Sequence, residues 1–141
     1  MKKKSTGDLG QELMEQPNIK AYLSENRPYF AEEGILELLE ELRIRSGLPK
    51  AVIARKSGIS EVYLHQVFAG RRNPSRDRLL ALCVGMGASL EETQQLLKQA
   101  AYAQLYPRLR RDAVISHGLL HHRSLGEINE SLFAEHEKTL S

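Results

Sequence analysis

Apolar residues in this chain recur at three- and four-residue intervals and nowhere alternate convincingly with period two, which predicts helices and no sheet. Leu9 and Leu13 mark a short first helix ended by Pro17, and Ile19 to Leu23 a second, ended before Pro28. From Gly34, the residues Ile35, Leu38, Leu39 and Leu42 sit at i, i+3, i+4 and i+7, one face of a helix that Gly47 closes with a left-handed cap. Pro49 suits the first position of the next helix, where its missing N–H is no loss; that helix carries Ile53 and Ala54 and halts near Gly58. Ser60 caps a helix ended by Gly70, and Ser75, after the Asn73-Pro74 turn, caps one bearing Leu79, Leu82 and Cys83, closed by Gly85 and Gly87. Ser89 with Glu92 forms a capping box opening a helix through Leu97 and Ala101. Pro107 starts a helix with Leu109, Ala113 and Ile115 that ends near His122. A second capping box, Ser124 with Glu127, opens a last helix striped with Leu125, Ile128, Leu132 and Phe133.

The helix pair around Gly58 carries the functional signal. A short helix from Pro49 to Ser57, a tight Gly58-Ile59 connection and a helix beginning at Ser60 have the spacing of a DNA-binding helix-turn-helix. In that motif the second helix anchors by one face and enters the major groove by the other. Leu64, Val67 and Phe68 share one side, and Ile59 packs from the turn. Val62, His65, Gln66 and Ala69 fall on the opposite side, with Glu61 at its N-terminal edge. The candidate base-reading residues are therefore Glu61, Val62, His65 and Gln66. Gln can pair bidentately with adenine, Val can touch a thymine methyl, and Glu can accept from cytosine N4. His65 can donate to a base acceptor or a phosphate.

Charge sharpens this picture although the net charge is only +2. Beyond Lys2, Lys3 and Lys4 the first forty residues lean acidic, with Glu32, Glu33, Glu37 and Glu40 among them. The middle of the chain is basic, and of its acids only Glu61 and Asp77 oppose Arg43, Arg45, Lys50, Arg55, Lys56, Arg71, Arg72, Arg76 and Arg78. Segregation of this kind produces one charged face rather than general stickiness. Candidate phosphate contacts are Lys50 and Ser60 at helix starts, where free N–H groups favour anions, and Arg71, Arg72, Asn73 and Arg76 after the second helix.

The stretch LPKAVIARKSGISEVYLHQVFAGRRNPSRDRLLALCVGMGASLEET resembles the lambda-repressor-like, xenobiotic-response-element family of bacterial and phage helix-turn-helix regulators. The marks are Ala54, the SGIS turn at Ser57 to Ser60, Leu64, the GRRNPS stretch at Gly70 to Ser75, the Leu79-Leu80 helix and the Ser89-Leu90 helix start. The resemblance implies a five-helix fold over residues 34–101, base-reading places at Glu61, Val62 and Gln66, and a phosphate contact at Lys50. Two departures stand out. Pro49-Lys50 replaces the family's usual Thr-Gln pair, and both ends extend beyond the domain. The expected architecture is thus all-α: an acidic helical extension over residues 1–33, the five-helix DNA-binding domain over 34–101 and a helical extension over 102–141. The last two helices are too short to stand alone; folding back, a dimer interface and a docking surface are all open to them.

The remaining chemistry excludes more than it offers. Cys83 is the single cysteine, so no internal disulfide forms, and it reads as a small buried hydrophobe. No segment approaches the ~20 apolar residues of a membrane span, and the N-terminus lacks the apolar run of a signal peptide, so a cytoplasmic location is expected. His117 and His121 are four apart, but no third ligand accompanies them or His122, and no metal or cofactor is expected. No nucleophile–base set assembles from spacing, and enzyme activity is not expected. The function expected is that of a transcriptional regulator binding double-stranded DNA as a homodimer. The alternative is a protein-interaction adaptor or antitoxin-like protein using the same fold, with Glu32 and Glu33 on its partner surface.

Overall fold

The computed structural model describes residues 4–141, the side chains of Ala31 to Glu33 excepted. Lys2 and Lys3, and the carboxylates of Glu32 and Glu33, lie outside the described residues. The fold is all-helical: α1 (Thr6–Glu15), α2 (Ile19–Glu25), a 3-10 turn (Arg27–Tyr29), α3 (Ala31–Ser46), α4 (Lys50–Lys56), α5 (Glu61–Phe68), α6 (Arg76–Gly85), α7 (Leu90–Gln99), α8 (Arg110–Leu120) and α9 (Leu125–Ala134). There is no strand among the described residues.

Local chemistry sets the starts. Ser60 and Ser75 each accept a hydrogen bond from the backbone N–H three residues on, from Tyr63 and Arg78. Ser89 with Glu92 and Ser124 with Glu127 close complete capping boxes, and Ser5 with Asp8 makes a third. The ends share one motif. In α7, α8 and α9 the residue after the C-cap is left-handed although it is not glycine: Ala101 (φ 60°), His122 (φ 53°) and His136 (φ 59°). At the first of these, Ala101 N–H bonds Lys98 O at 3.1 Å and Tyr102 N–H bonds Leu97 O at 3.0 Å, the paired bonds of a Schellman end.

Two hydrophobic cores meet on α6. One holds Ile35, Leu39 and Leu42 of α3, Ile53 of α4, Leu64 and Val67 of α5, and Leu79, Leu82 and Cys83 of α6. The other gathers Leu80 and Ala81 from α6, Leu97 from α7, and Ile115, Leu119, Ile128, Leu132 and Leu140 from the C-terminal segment. Every side chain from Leu79 to Cys83 is buried, and five consecutive residues cover more than one helical turn, so α6 is apolar all round. Residues 102–141 therefore fold back and share a core with α6. Two adjacent residues at the start of α6 reinforce that seat. Arg76 pairs with the buried Asp112 at 3.1 Å, and Asp77 pairs with Arg111 at 3.0 Å. Gln94 acts in the same sense, its amide bonding both N–H and C=O of Leu105 at 2.7 and 2.8 Å. The N-terminal segment is knit by buried Asn26, which accepts from Lys4 Nζ at 2.7 Å and donates to Glu12 at 2.9 Å.

Several boundaries differ from those the sequence predicts. Helix α3 begins at Ala31 rather than Gly34, so the expected boundary between 33 and 34 falls inside a helix. Pro49, expected as the first helical residue, is the N-cap of α4, and the helix begins one position later at Lys50. Helix α8 starts at Arg110 rather than Pro107, because the Asp112 carboxylate accepts the N–H of Tyr106 at 3.0 Å and holds residues 106–109 as a turn. Leu109 and Phe133, expected on apolar stripes, are exposed: Leu109 is the extended cap of α8, and Phe133 points away from the face carrying Ile128 and Leu132.

Close helix approach makes Gly85 a sensitive position. A Cβ there would collide with the side-chain oxygen and backbone nitrogen of Ser57 at the end of α4. Gly85→Ala is expected to lower stability by about 1–3 kcal/mol through overpacking, whereas Ala101→Gly is expected to raise it by about 0.5–1 kcal/mol by relieving the left-handed residue; thermal melts of the two variants check both signs. Glu92 adds a pH dependence. Its carboxylate, bound by Arg45 across to α3 and by the Ser89 cap, sits below its ordinary value of 4.5. The stabilisation is complete above that value and is lost as pH falls through the lowered one. Glu92→Gln should reduce the melting temperature at pH 7 and flatten its decline below pH 4.5.

Candidate nucleic-acid interface

The turn between α4 and α5 is fixed by its backbone. Gly58 adopts φ 65°, its N–H bonds Arg55 O at 3.2 Å, and the N–H of Ile59 reaches back to Ala54 O at 3.1 Å. A left-handed residue is required here, and glycine supplies it without a Cβ penalty. The half-buried Ile59 then packs onto the core, Ser60 caps α5, and α5 leaves at an angle to α4 with Leu64 and Val67 driven inward.

The outward face of α5 is the one the sequence predicts. Glu61, Val62, His65 and Ala69 are exposed, with Val62 at 68% exposure despite its apolar side chain, and Gln66 is half-buried. Glu61 and His65 stand one turn apart, carboxylate to imidazole at 4.0 Å. Gln66 Oε1 accepts from Arg72 Nε at 3.1 Å, so the guanidinium of the following loop lies against the outward face. Arg71 and Asn73 are exposed in that loop. The Ser60 hydroxyl is engaged by the Tyr63 N–H, and Lys50, at the first position of α4, sets its ammonium 5.5 Å from the centre of the Phe68 ring. Lys50 and Arg71 to Asn73 thus gather toward the end of α5 that carries Phe68, and the Ser60 cap lies at its start.

Arg76 is placed elsewhere. Four hydrogen bonds tie its guanidinium to Asp112 and to the carbonyls of Ala103 and Gln104, and its side chain is largely covered. It seats the C-terminal segment, because the carboxylate buried opposite it demands a counter-charge. Two neighbours of the face had no distinct sequence signal. Arg78 lies with its guanidinium carbon 4.5 Å over the Tyr63 ring of α5, a stack visible only once α5 and α6 are packed. Tyr102, from beyond α7, donates its hydroxyl to Pro74 O at 2.8 Å and so braces the loop that carries Arg71 to Asn73. Each belongs to a residue type common on any surface, and only the tertiary packing distinguishes it.

Comparison with known proteins shows that residues 36–96 match the family model of a helix-turn-helix domain. Residues 36–96 form a helix-turn-helix domain. No curated protein and no solved structure matches the chain. The helix-turn-helix domain takes in most of α3, all of α4 to α6 and most of α7, which places the outward face of α5 and the loop after it within the matched region. Outside it, the His117 and His121 rings stack at 4.2 Å, and among the described residues no group of three or more His, Cys, Asp or Glu is placed to hold a metal. Burial pushes the Cys83 thiol up to about 12 against a partial offset from Thr93, which leaves a protonated, unreactive core residue at neutral pH. No described helix is long and apolar enough to cross a membrane.

The two arginine environments of the helix-turn-helix domain predict opposite mutant behaviour. Arg76→Ala leaves Asp112 buried and uncompensated and should cost about 2–4 kcal/mol, less than a fully enclosed pair because the arginine is partly exposed. Arg72→Ala, at an exposed loop position, should change stability by no more than about 0.5 kcal/mol. Chemical denaturation of the two single variants measures the difference.

Proposed function

We propose that this chain is a sequence-specific regulator of transcription that binds double-stranded DNA with α5 in the major groove, in the manner of the lambda-repressor-like, xenobiotic-response-element family. The observation that carries this reading is the two-faced α5. Leu64 and Val67 hold it in the core, and Glu61, Val62, His65 and Gln66 face outward beside the loop arginines. A free helix face bordered by cations suits a groove lined by phosphates.

The roles follow from reach and chemistry. Lys50 with the start of α4, the Ser60 cap region, Arg71 and Asn73 anchor to phosphates, and Glu61, Val62 and His65 meet base edges. Gln66 and Arg72 act together. In the free protein Arg72 occupies the carbonyl of Gln66; moving that guanidinium to a phosphate releases the amide to address adenine through both its oxygen and its nitrogen. A two-fold dimer would present two copies of α5 to half-sites about 34 Å apart, one turn of duplex.

Selection of duplexes from a randomised pool, followed by titration at varied salt, tests the proposal. The selected site should bind well above random duplex, with affinity falling steeply as salt rises. Arg71→Ala with Arg72→Ala should weaken binding to all sequences and lower the salt slope by about one for each phosphate no longer neutralised, while Gln66→Ala should cost about 1–3 kcal/mol on the selected site and relax the preference at one position. A flat salt response, or equal binding to selected and random duplex, overturns the reading.

A further inference from the structure

We propose that the cleft between the end of α4 and the α8–α9 turn is a binding site for a small amphipathic organic anion, a carboxylate or sulfonate on a hydrocarbon or aromatic body. This inference is independent of DNA binding. The cleft measures about 630 Å³, within the range of small-molecule sites. Its floor is apolar, with Leu48 from the α3–α4 connection, Val84 and Met86 from the end of α6, and Leu119 and Leu125 from the C-terminal segment.

Its rim is basic from two directions. Arg55 and Lys56 line it from α4, and His122 and Arg123 from the α8–α9 turn, all of them exposed. Basic residues in the last turn of a helix are ordinary, since they complement its dipole. What points to a ligand is that Arg123 and His122, from a different part of the chain, border the same apolar floor. No ion pair engages Arg55 or Lys56 among the described residues. The rim's one acid, Glu127, is already occupied: it accepts the Ser124 N–H at 3.0 Å and pairs with Arg123 at 3.3 Å, and both hold its carboxyl below the ordinary value. The first turn of α9 also lines the cleft; the Ser124 hydroxyl takes the Glu127 N–H, which leaves the N–H groups of Leu125 and Gly126 as its open donors. Gly126 leaves those donors unshielded by a side chain. An anionic head held by the rim with its apolar body on the floor satisfies both features at once. A neutral apolar molecule would leave Arg55 and Lys56 unanswered, and a compact inorganic anion would leave the floor wet.

The full chain should be titrated with 1-anilinonaphthalene-8-sulfonate, followed by fluorescence and by thermal melting without DNA. The expected result is saturable one-site binding with a melting temperature that rises with dye. Decanoate should displace the dye and decyltrimethylammonium should not. Lys56→Glu combined with Arg123→Glu should weaken binding at least about tenfold, with the helical circular dichroism unchanged. Should that pair melt early, Lys56→Gln alone, at an exposed side chain, gives the answer by a smaller loss of affinity in a folded protein. Dye binding that ignores these substitutions, never saturates or is displaced equally by the cationic detergent overturns the proposal.

Discussion

Helix α6 has to bury its whole circumference, and much of the molecule is arranged to let it. A helix with polar residues only at its start, Arg76 to Arg78, and a buried run behind them cannot lie on the surface of a five-helix domain. Leu79, Leu82 and Cys83 satisfy one side through the core made with α3, α4 and α5, and Leu80 with Ala81 need cover on the other. Residues 102–141 provide it. The C-terminal segment is therefore continuous with the domain that presents α5, and a perturbation in α8 or α9 reaches the domain through α6 without crossing a linker.

The sequence conveyed the helices and the outward face of α5 because both follow from short-range rules. Periodicity set which side of α5 faces Leu39 and Leu79, and serines at caps announced four helix starts, those of α5, α6, α7 and α9. Ends were legible where glycine marked them. They were blurred at Ala101, since a left-handed alanine looks like any helical alanine in one dimension. The start of α8 was misplaced for a different reason. Pro107 is a sound local signal for a helix start, but Asp112 draws the N–H of Tyr106 into a tertiary network with Arg76, and that bond sets where the helix begins.

The candidate interface shows the same division. Arg71, Arg72 and Arg76 are alike as letters in a basic run, yet they have separate surroundings. Arg72 leans on Gln66 beside the exposed face, while Arg76 is drawn inward by a carboxylate thirty-six positions away. Charge runs report where cations are dense. Whether each cation faces solvent depends on where the acids of the rest of the chain come to rest, which is a property of the packed molecule.

The crossed pairs at the start of α6 have a consequence beyond attraction. Arg76 answers Asp112 and its neighbour Asp77 answers Arg111, so the two segments, each reading Arg then Asp, meet in opposite directions. Apolar neighbours such as Leu80 and Ile115 tolerate sliding, since one aliphatic surface serves nearly as well as the next. The four charges do not. Displacing the C-terminal segment by one residue would bring Arg76 toward Arg111 in one direction, or Asp77 toward Asp112 in the other, replacing an attraction by a repulsion in a poorly solvated place either way. The quartet thus works as a key with polarity: it admits a single seating of the segment, and rejects by charge a mis-threaded one that the hydrophobic surfaces alone would accept.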